Sequence, residues 1–210
     1  MGVYDDWVLP RVMNLAMGTK SVARERQKAL AGVKGRVLEV GFGSGHNLPF
    51  YERGVEKVVG LDPSGESARL GRKRIEQAKF PVEFVPLRGE QIAAANASFD
   101  SVVSTFTLCT ISDPGAALAQ MLRVLRPGGH FYFLEHGRSD EAKVRRWQDR
   151  LNGAQNYFAG GCHLNRPMDQ LIVGAGFEIE SLERYYAEGP KFMSCLYRGV
   201  ARRKTAQSPV

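Results

Sequence analysis

The sequence predicts an α/β fold in which a doubly wound, mostly parallel sheet is covered by helices on both faces. Short apolar runs alternate with helical stretches from residue 36 to about residue 135, as in chains of βα units. The first run ends in the glycine-rich turn Gly41-x-Gly43-x-Gly45. At 210 residues, of which 43% are hydrophobic and 24% charged, the chain suits a single domain with one core.

Five apolar runs are short enough and apolar enough to form buried parallel strands, at residues 37–40, 58–61, 82–85, 101–105 and 130–134. Helices are expected between them at residues 65–78 and 114–125. The second helix has Asp113 available as N-cap and Pro114 at its first position. Beyond Glu135 we expect helices at 142–151 and 168–175, followed by two strands at 177–186 and 191–202.

The N-terminal segment, residues 1–34, is predicted to form a helical lid of two helices that are broken near Gly18. The first helix is apolar on one face, whereas the second is basic, with Lys20, Arg24, Arg26 and Lys28. Such helices cover a sheet edge or close over a pocket, and a cationic face also suits weak peripheral contact with a membrane surface. Residues 35–203 then form the main domain, and the polar tail 204–210 is expected to be disordered.

The glycine-rich turn and Asp62 together predict a cofactor that contains adenosine. Glycine adopts positive φ at little cost and lets a ligand approach the backbone, and a helix is expected to begin directly after the turn. Asp62 follows at the distance at which an acidic residue binds ribose hydroxyls. An NAD-binding turn would carry glycine at position 46, which is His46. Glu39, inside the strand, would repel phosphates and favours a cationic head group such as the amino end of S-adenosylmethionine, which it could attract directly or through the loop.

Four segments resemble the successive motifs of class I S-adenosylmethionine-dependent methyltransferases with a type 11 methyltransferase domain: residues 37–45, 60–64, 98–103 and 122–129. The resemblance implies a Rossmann-like, seven-stranded sheet that ends in an antiparallel C-terminal hairpin. It also implies S-adenosyl-L-methionine as cofactor and S-adenosyl-L-homocysteine as product.

The same resemblance implies roles for the residues at the carboxyl ends of the strands. Asp62 would bind the ribose, Gly89 and Glu90 would border the adenine, and residues 105–107 would line the methionine end. Arg88 stands near the place where relatives often carry Asp beside the adenine amine, so we expect backbone contacts there. The predicted cofactor-binding residues are Glu39, Gly41, Phe42, Gly43, Ser44, Gly45, Asp62, Pro63, Gly89, Glu90, Thr105, Phe106 and Thr107.

A narrower resemblance concerns the methyl acceptor. Residues 107–111, 131–136 and 161–166, together with the helix around Trp147, resemble the thiol S-methyltransferase branch. This implies a thiol or sulfide acceptor such as hydrogen sulfide or methanethiol. Animal members carry a hydrophobic N-terminal membrane anchor that this sequence lacks, so we expect a small diffusible acceptor. Phospholipid N-methylation, methylation of a quinone or small aromatic ring, and a cofactor-binding module without turnover remain alternatives.

Two histidines are candidate catalytic bases. His136 follows the fifth strand, and His163 lies in a loop before the last helix. A thiol is partly ionised at neutral pH and needs no base, whereas a phenol or a protonated amine needs a group with a pKa near 7. The alternative for both histidines is that they only form hydrogen bonds to the backbone.

Cysteine number and charge limit the remaining options. Cys109, Cys162 and Cys195 are odd in number and widely spaced, which argues against a disulfide framework or a metal site and for a reducing compartment. The net charge is +7, but we find no nucleic-acid-binding motif. Without a secretion signal or an apolar run of membrane-spanning length, we expect a soluble cytoplasmic protein of undetermined oligomeric state.

Overall fold

A seven-stranded sheet organises residues 7–203, the part of the chain that the computed structural model describes. The strands are β1 Gly35–Val40, β2 Val55–Leu61, β3 Val82–Val85, β4 Phe99–Thr105, β5 Leu125–His136, β6 Phe177–Tyr186 and β7 Cys195–Arg203. Their order is β3-β2-β1-β4-β5-β7-β6, with β1 to β5 parallel and β7 antiparallel to both of its neighbours. The predicted α/β sheet with a C-terminal hairpin is confirmed.

Seven helices flank this sheet within residues 7–203: α1 Leu9–Met17, α2 Lys20–Ala29, α3 Gly65–Glu76, α4 Pro114–Val124, α5 Ala142–Phe158, α6 Met168–Gly174 and the short α7 Lys191–Ser194. The break between α1 and α2 lies at Gly18, as predicted. The predicted tail, 204–210, lies outside the described residues. None of the helices between residues 7 and 203 has the length and apolar character that crossing a membrane requires.

The central strands are buried on both faces, which explains their continuous apolar sequence. Val37 and Leu38 of β1 are fully buried, one in a cluster with Leu30 and Val33 and the other in the main core with α4. On β5, Phe131 packs against Phe177 of β6 with ring centroids 5.1 Å apart. This rigid sheet fixes the positions of the loops that follow its carboxyl ends.

The helix predicted directly after the glycine-rich turn is absent. Residues 41–54 contain one 3₁₀ turn, Leu48–Phe50, before β2 begins. Tyr51, directly after this turn, already has extended backbone and Gly54 has φ +115°, so helical backbone does not continue beyond Phe50. The helix N-terminus invoked for anion binding therefore does not exist at this turn.

Three element boundaries also differ from the prediction. Helix α5 continues to Phe158 because Asn152 and Asn156 bind the loop that follows it, the former through the backbone N–H of Leu164 and the latter through the carbonyl of Gly161. Helix α4 ends at Val124, and residues 126–129, predicted as a turn, form an irregular start of β5. Residues 191–194 form a helical turn instead of strand, because the Pro190 carbonyl accepts hydrogen bonds from Met193 and Ser194.

Candidate active site

A cavity of about 440 Å³ lies beyond the carboxyl ends of β1, β2 and β4. Helix α1 and the inner face of α2 cover it from the other side. This is the position at which open α/β sheets bind ligands, where the strand order changes direction between β1 and β4. Eleven predicted cofactor residues line the cavity: Gly41, Phe42, Gly43, Ser44, Asp62, Pro63, Gly89, Glu90, Thr105, Phe106 and Thr107.

The glycine-rich turn needs glycine for two different reasons. Gly41 has φ +76°, and a Cβ there would lie 1.9 Å from the Thr107 hydroxyl oxygen, so the Thr107 side chain occupies that space. Gly43 has φ +54°, and a Cβ there would meet no atom within 4 Å. Gly43 therefore presents bare backbone to the cavity, whereas Gly41 lets the loop after β4 approach. Gly45 also has positive φ but does not line the cavity.

Asp62 holds the glycine-rich turn in place. Its Oδ2 accepts a hydrogen bond from the Gly43 N–H at 2.8 Å, and its Oδ1 accepts one from the Ser64 N–H at 2.8 Å. Burial raises the pKa of Asp62, although both backbone hydrogen bonds oppose the shift. Each carboxylate oxygen keeps a lone pair that can accept a further hydrogen bond from a ligand hydroxyl.

Glu39 lies behind the cavity and does not line it. The carboxylate is fully buried and accepts hydrogen bonds from Asn47 Nδ2 at 2.8 Å and from the Tyr51 hydroxyl at 2.7 Å. Burial raises the pKa of Glu39 to about 7, while Tyr51 and Arg26 oppose the shift. The structure therefore places Glu39 outside direct reach of a ligand in the cavity, and its attraction of a cationic cofactor head group through the loop stays a prediction.

Arg26 of α2 is a cavity residue that the sequence analysis did not assign to the cofactor site. Its Nη1 donates to Asn47 Oδ1 at 2.7 Å and to Thr105 Oγ1 at 2.6 Å, and its guanidinium lies over the Phe106 ring at 5.3 Å. Arg26 Nε is buried and has no hydrogen-bond partner among residues 7–203. Burial lowers the pKa of Arg26 to about 10, so the side chain stays cationic at neutral pH. Arg26 thus points inward and is not part of the predicted cationic outer face.

Asn14 of α1 is a second cavity residue that the sequence analysis did not assign, and it connects α1 to the glycine-rich turn. Asn14 accepts a hydrogen bond from the Ser44 hydroxyl at 2.7 Å, and its carbonyl lies 3.0 Å from His46 Nε2. Burial lowers the pKa of His46 to about 4, and the neighbouring Arg74 and Arg26 act in the same direction. The neutral ring therefore carries its proton on Nε2, where the Asn14 carbonyl can accept it.

Glu135 orients the loop that follows β4. This fully buried carboxylate accepts hydrogen bonds from the Ser104 hydroxyl and from the backbone N–H groups of Thr107 and Cys109. Within this loop Phe106 has φ +55°, an unusual backbone conformation for a bulky residue. Such strained residues cluster at functional sites. The Phe106 ring contacts both the Arg26 guanidinium and the His136 ring, whose centroid is 5.2 Å away.

The two candidate bases lie in different surroundings. His136 borders a second cavity, of about 410 Å³, which shares Met17 and Phe106 with the first. His163 lines neither cavity, and its ring nitrogens lie 3.1 Å from Asn152 Nδ2 and 3.0 Å from Asn156 Nδ2 of α5. The structure brings His136 near the candidate active site, whereas His163 is held by a helix outside it.

The main cavity fits the predicted cofactor. Gly43 leaves room against the backbone, Asp62 can accept hydrogen bonds from ribose hydroxyls, and the Arg26 cation lines the cavity, where it can attract a carboxylate such as that of the methionine part. The sequence model of a protein family described as a methyltransferase domain matches residues 38–133. The chain is 32% identical over 147 residues to a phosphatidylethanolamine N-methyltransferase from Cereibacter sphaeroides, covering 69% of this chain and 71% of that protein.

The chain belongs to the S-adenosylmethionine-dependent methyltransferases. It is also 35% identical over 163 residues to a thiol S-methyltransferase from Homo sapiens, covering 75% of this chain and 66% of that protein. The methyltransferase therefore spans about two thirds of that relative's length. An S-adenosylmethionine-dependent methyltransferase structure from Methanosarcina mazei has the same fold, with TM-score 0.67 and 20% identity over 84% of this chain and 95% of that one.

Proposed function

We propose that this methyltransferase transfers a methyl group from S-adenosylmethionine to a small thiol or sulfide. The observation that carries the proposal is the second cavity, which meets the first at Met17 and Phe106. The side chains of Val22, Met193 and Leu196 make part of its wall apolar. A small thiol needs such an apolar slot and little else, because its thiolate is already a strong nucleophile. The identity to thiol S-methyltransferases supports the same acceptor class.

In this proposal one wall of the main cavity, formed by the glycine-rich turn and Asp62, holds the nucleoside half of the cofactor. The opposite wall, with Arg26, holds the methionine half. The cofactor supplies a methyl group on a positively charged sulfur. Gly43 and Asp62 bind the nucleoside half and Arg26 binds the carboxylate of the methionine half. Phe106, which lines both cavities, lies beside the place where the methyl group meets the acceptor. Alignment of acceptor and methyl carbon for in-line displacement would supply roughly 7–11 kcal/mol of the barrier reduction.

No protein base is needed in the proposed reaction. Within the second cavity the carboxylate of Glu25 is already engaged by the Tyr185 hydroxyl and by Arg198 Nη1 at 2.7 Å. His136 borders the cavity and would be the candidate base for a phenol or an amine acceptor. His163 has no part in the proposed reaction because α5 engages both of its ring nitrogens.

A matched pair of acceptors tests the proposal. The full chain is incubated with S-adenosylmethionine and either methanethiol or methanol, and methylated volatile products are measured by gas chromatography. We expect dimethyl sulfide from methanethiol and no dimethyl ether from methanol, because an alcohol remains protonated without a base. Absence of dimethyl sulfide, together with methylation of a phospholipid or a quinone, would contradict the thiol assignment.

A second candidate, N-methylation of a phospholipid headgroup, is favoured by apolar side chains on the outer surface. Leu15 of α1 is 79% exposed and Tyr157 near the end of α5 is 77% exposed. These regions are adjacent, because Leu9 of α1 contacts the loop at Gly160 that follows α5. Exposed apolar groups on a chain with net charge +7 suit the surface of an anionic membrane.

Vesicle co-sedimentation separates the two candidates. The second candidate requires that the protein bind phosphatidylethanolamine–phosphatidylglycerol vesicles and methylate the ethanolamine headgroup. It also requires that Leu15→Gln weaken vesicle binding. Lys57→Gln, near the amino end of β2 and away from α1 and α5, should leave vesicle binding unchanged. Binding without methylated lipid would leave membrane contact intact and exclude the lipid as acceptor.

A further inference from the structure

Three side chains from separate elements converge behind the wall of the main cavity. Cys109 lies in the loop after β4, His136 ends β5, and Cys162 lies in the loop after α5. The two Sγ atoms are 3.7 Å apart, and His136 Nδ1 lies 3.9 Å from Cys109 Sγ and 3.8 Å from Cys162 Sγ. The three atoms form a nearly equilateral triangle.

The edges of this triangle are within a few tenths of an ångström of those of one face of a zinc coordination tetrahedron. With Zn–S near 2.3 Å and Zn–N near 2.0–2.1 Å, tetrahedral ligand atoms lie about 3.5–3.8 Å apart. We propose that Cys109, Cys162 and His136 bind a Zn²⁺ ion. Thiolate and imidazole are the ligands that Zn²⁺ prefers in proteins. The odd number and wide spacing of the cysteines argued against a metal site, but that argument could not include a histidine contributed by another strand.

Charge and protons balance at such a site. Binding of Zn²⁺ releases the protons of both thiols, and the two thiolates neutralise the charge of the ion. His136 binds through Nδ1 with its remaining proton on Nε2. Cys109 and Cys162 are 1% and 6% exposed, so a neutral metal–dithiolate unit suits their surroundings better than unpaired charges would.

The backbone around the cluster is held independently of any ion. The His163 N–H donates to the Cys109 carbonyl at 2.8 Å, which joins the two cysteine-bearing loops. Glu135, next to His136, accepts the Cys109 N–H at 3.2 Å. The ligands are therefore pre-positioned by hydrogen bonds from their neighbours, as an effective metal site requires.

Three protein ligands leave the fourth coordination position for a non-protein ligand. Zinc sites of this composition hold water or another exogenous ligand there, whereas structural zinc sites have four protein ligands. Thr110, directly after Cys109, lines the main cavity, and His136 borders the second cavity. One proposed ligand therefore borders the second cavity, and another directly precedes a residue that lines the main cavity. An exogenous thiolate could replace the water at this position.

Metal titration of the full chain tests this site without any activity measurement. The reduced, chelator-treated protein is titrated with Co²⁺ and, separately, with Zn²⁺, and bound metal is measured by absorption and by mass spectrometry. We expect a single equivalent per chain and a thiolate-to-cobalt charge-transfer band. Cys162→Ala and His136→Asn should weaken binding by more than the roughly 10–100-fold that loss of an outer hydrogen-bond partner causes.

Cys195→Ala is the matched control, because Cys195 is equally buried but belongs to β7 and not to the cluster. It should bind cobalt as the wild-type protein does. The proposal is overturned if the wild-type protein shows no charge-transfer band. It is also overturned if Cys195→Ala lowers metal affinity as much as Cys162→Ala. Because the wild-type titration decides by itself, a variant that fails to fold does not remove the test.

Discussion

The two walls of the main cavity are built in different ways. The glycine-rich turn and Asp62 form a wall of backbone and of one carboxylate, all from two adjacent strand ends. The opposite wall consists of side chains from distant segments, with Arg26 on α2 bonded to Thr105 after a separation of 79 residues. The first wall is a local structure that needs few partners, whereas the second exists only when the N-terminal helices pack on the sheet.

This difference predicts different responses to substitution. Added side chains at the glycines of the backbone wall should abolish binding of the whole cofactor, because a steric overlap there cannot be relieved by a side-chain rotation. Changes in the side-chain wall should have smaller and more selective effects, since hydrogen bonds to one flexible side chain are lost one at a time.

The largest expected effect is that of Gly41→Ala. Positive φ costs an L-residue about 1–2 kcal/mol, and the new Cβ would overlap Thr107, so we expect a loss of about 2–5 kcal/mol in the free energy of unfolding. Urea denaturation measures it, and calorimetry should detect no binding of S-adenosylhomocysteine. Gly65→Ala at the start of α3 is the control, because a Cβ there meets no atom within 4 Å. Equal stability of both variants would contradict the steric argument.

The next effect concerns the buried network behind the cavity. Glu39 has its pKa raised from 4.5 to about 7 by burial, so the folded state binds more protons than the unfolded state between these values. Stability must then fall as pH rises from about 4.5 to 7, by about 3 kcal/mol at most from this group. Urea denaturation across this pH range should show that the free energy of unfolding falls less in Glu39→Gln than in the wild-type protein. An identical pH dependence in both proteins would show that folding does not raise the pKa of Glu39.

Asp62→Asn should have an intermediate effect. Loss of a charge-assisted hydrogen bond to a ribose hydroxyl costs about 1.5–3 kcal/mol, or roughly 10–100-fold in the affinity for S-adenosylhomocysteine. Asp100→Asn is a matched control, because Asp100 also accepts a backbone N–H, from Arg36 at 2.8 Å, but lies at the opposite end of β4. Affinity that falls equally in both variants would point to general destabilisation.

The sequence was sufficient for the backbone wall and insufficient for the side-chain wall. The spacing of Gly41, Gly43 and Asp62 is a local pattern, and the family resemblance added residues 89–90 and 105–107. Eleven of the residues predicted in these two ways line one cavity. The sequence did not indicate what surrounds Glu39, because no local pattern shows that Asn47 and Tyr51 donate hydrogen bonds to its buried carboxylate.

A signal for Arg26 was present but was not used. Val22, Arg26, Ala29 and Leu30 recur at helical spacing, and Arg26, Ala29 and Leu30 are all buried. An arginine on the apolar face of a helix indicates a buried role, whereas Lys20, Arg24 and Lys28 are exposed as a basic outer surface requires. The cluster of Cys109, His136 and Cys162 had no such signal, because three separate elements must fold before the side chains meet.

The most direct test of the two-wall account compares a fragment with the whole cofactor product. Calorimetry would measure the affinities for methylthioadenosine, which lacks the amino acid part, and for S-adenosylhomocysteine. Asp62→Asn should weaken both ligands, whereas Arg26→Met should weaken only S-adenosylhomocysteine, by about 10-fold, with the exposed Arg24→Met as control. If Arg26→Met weakens both ligands equally, or neither, the assignment of the two walls to the two halves of the cofactor is contradicted.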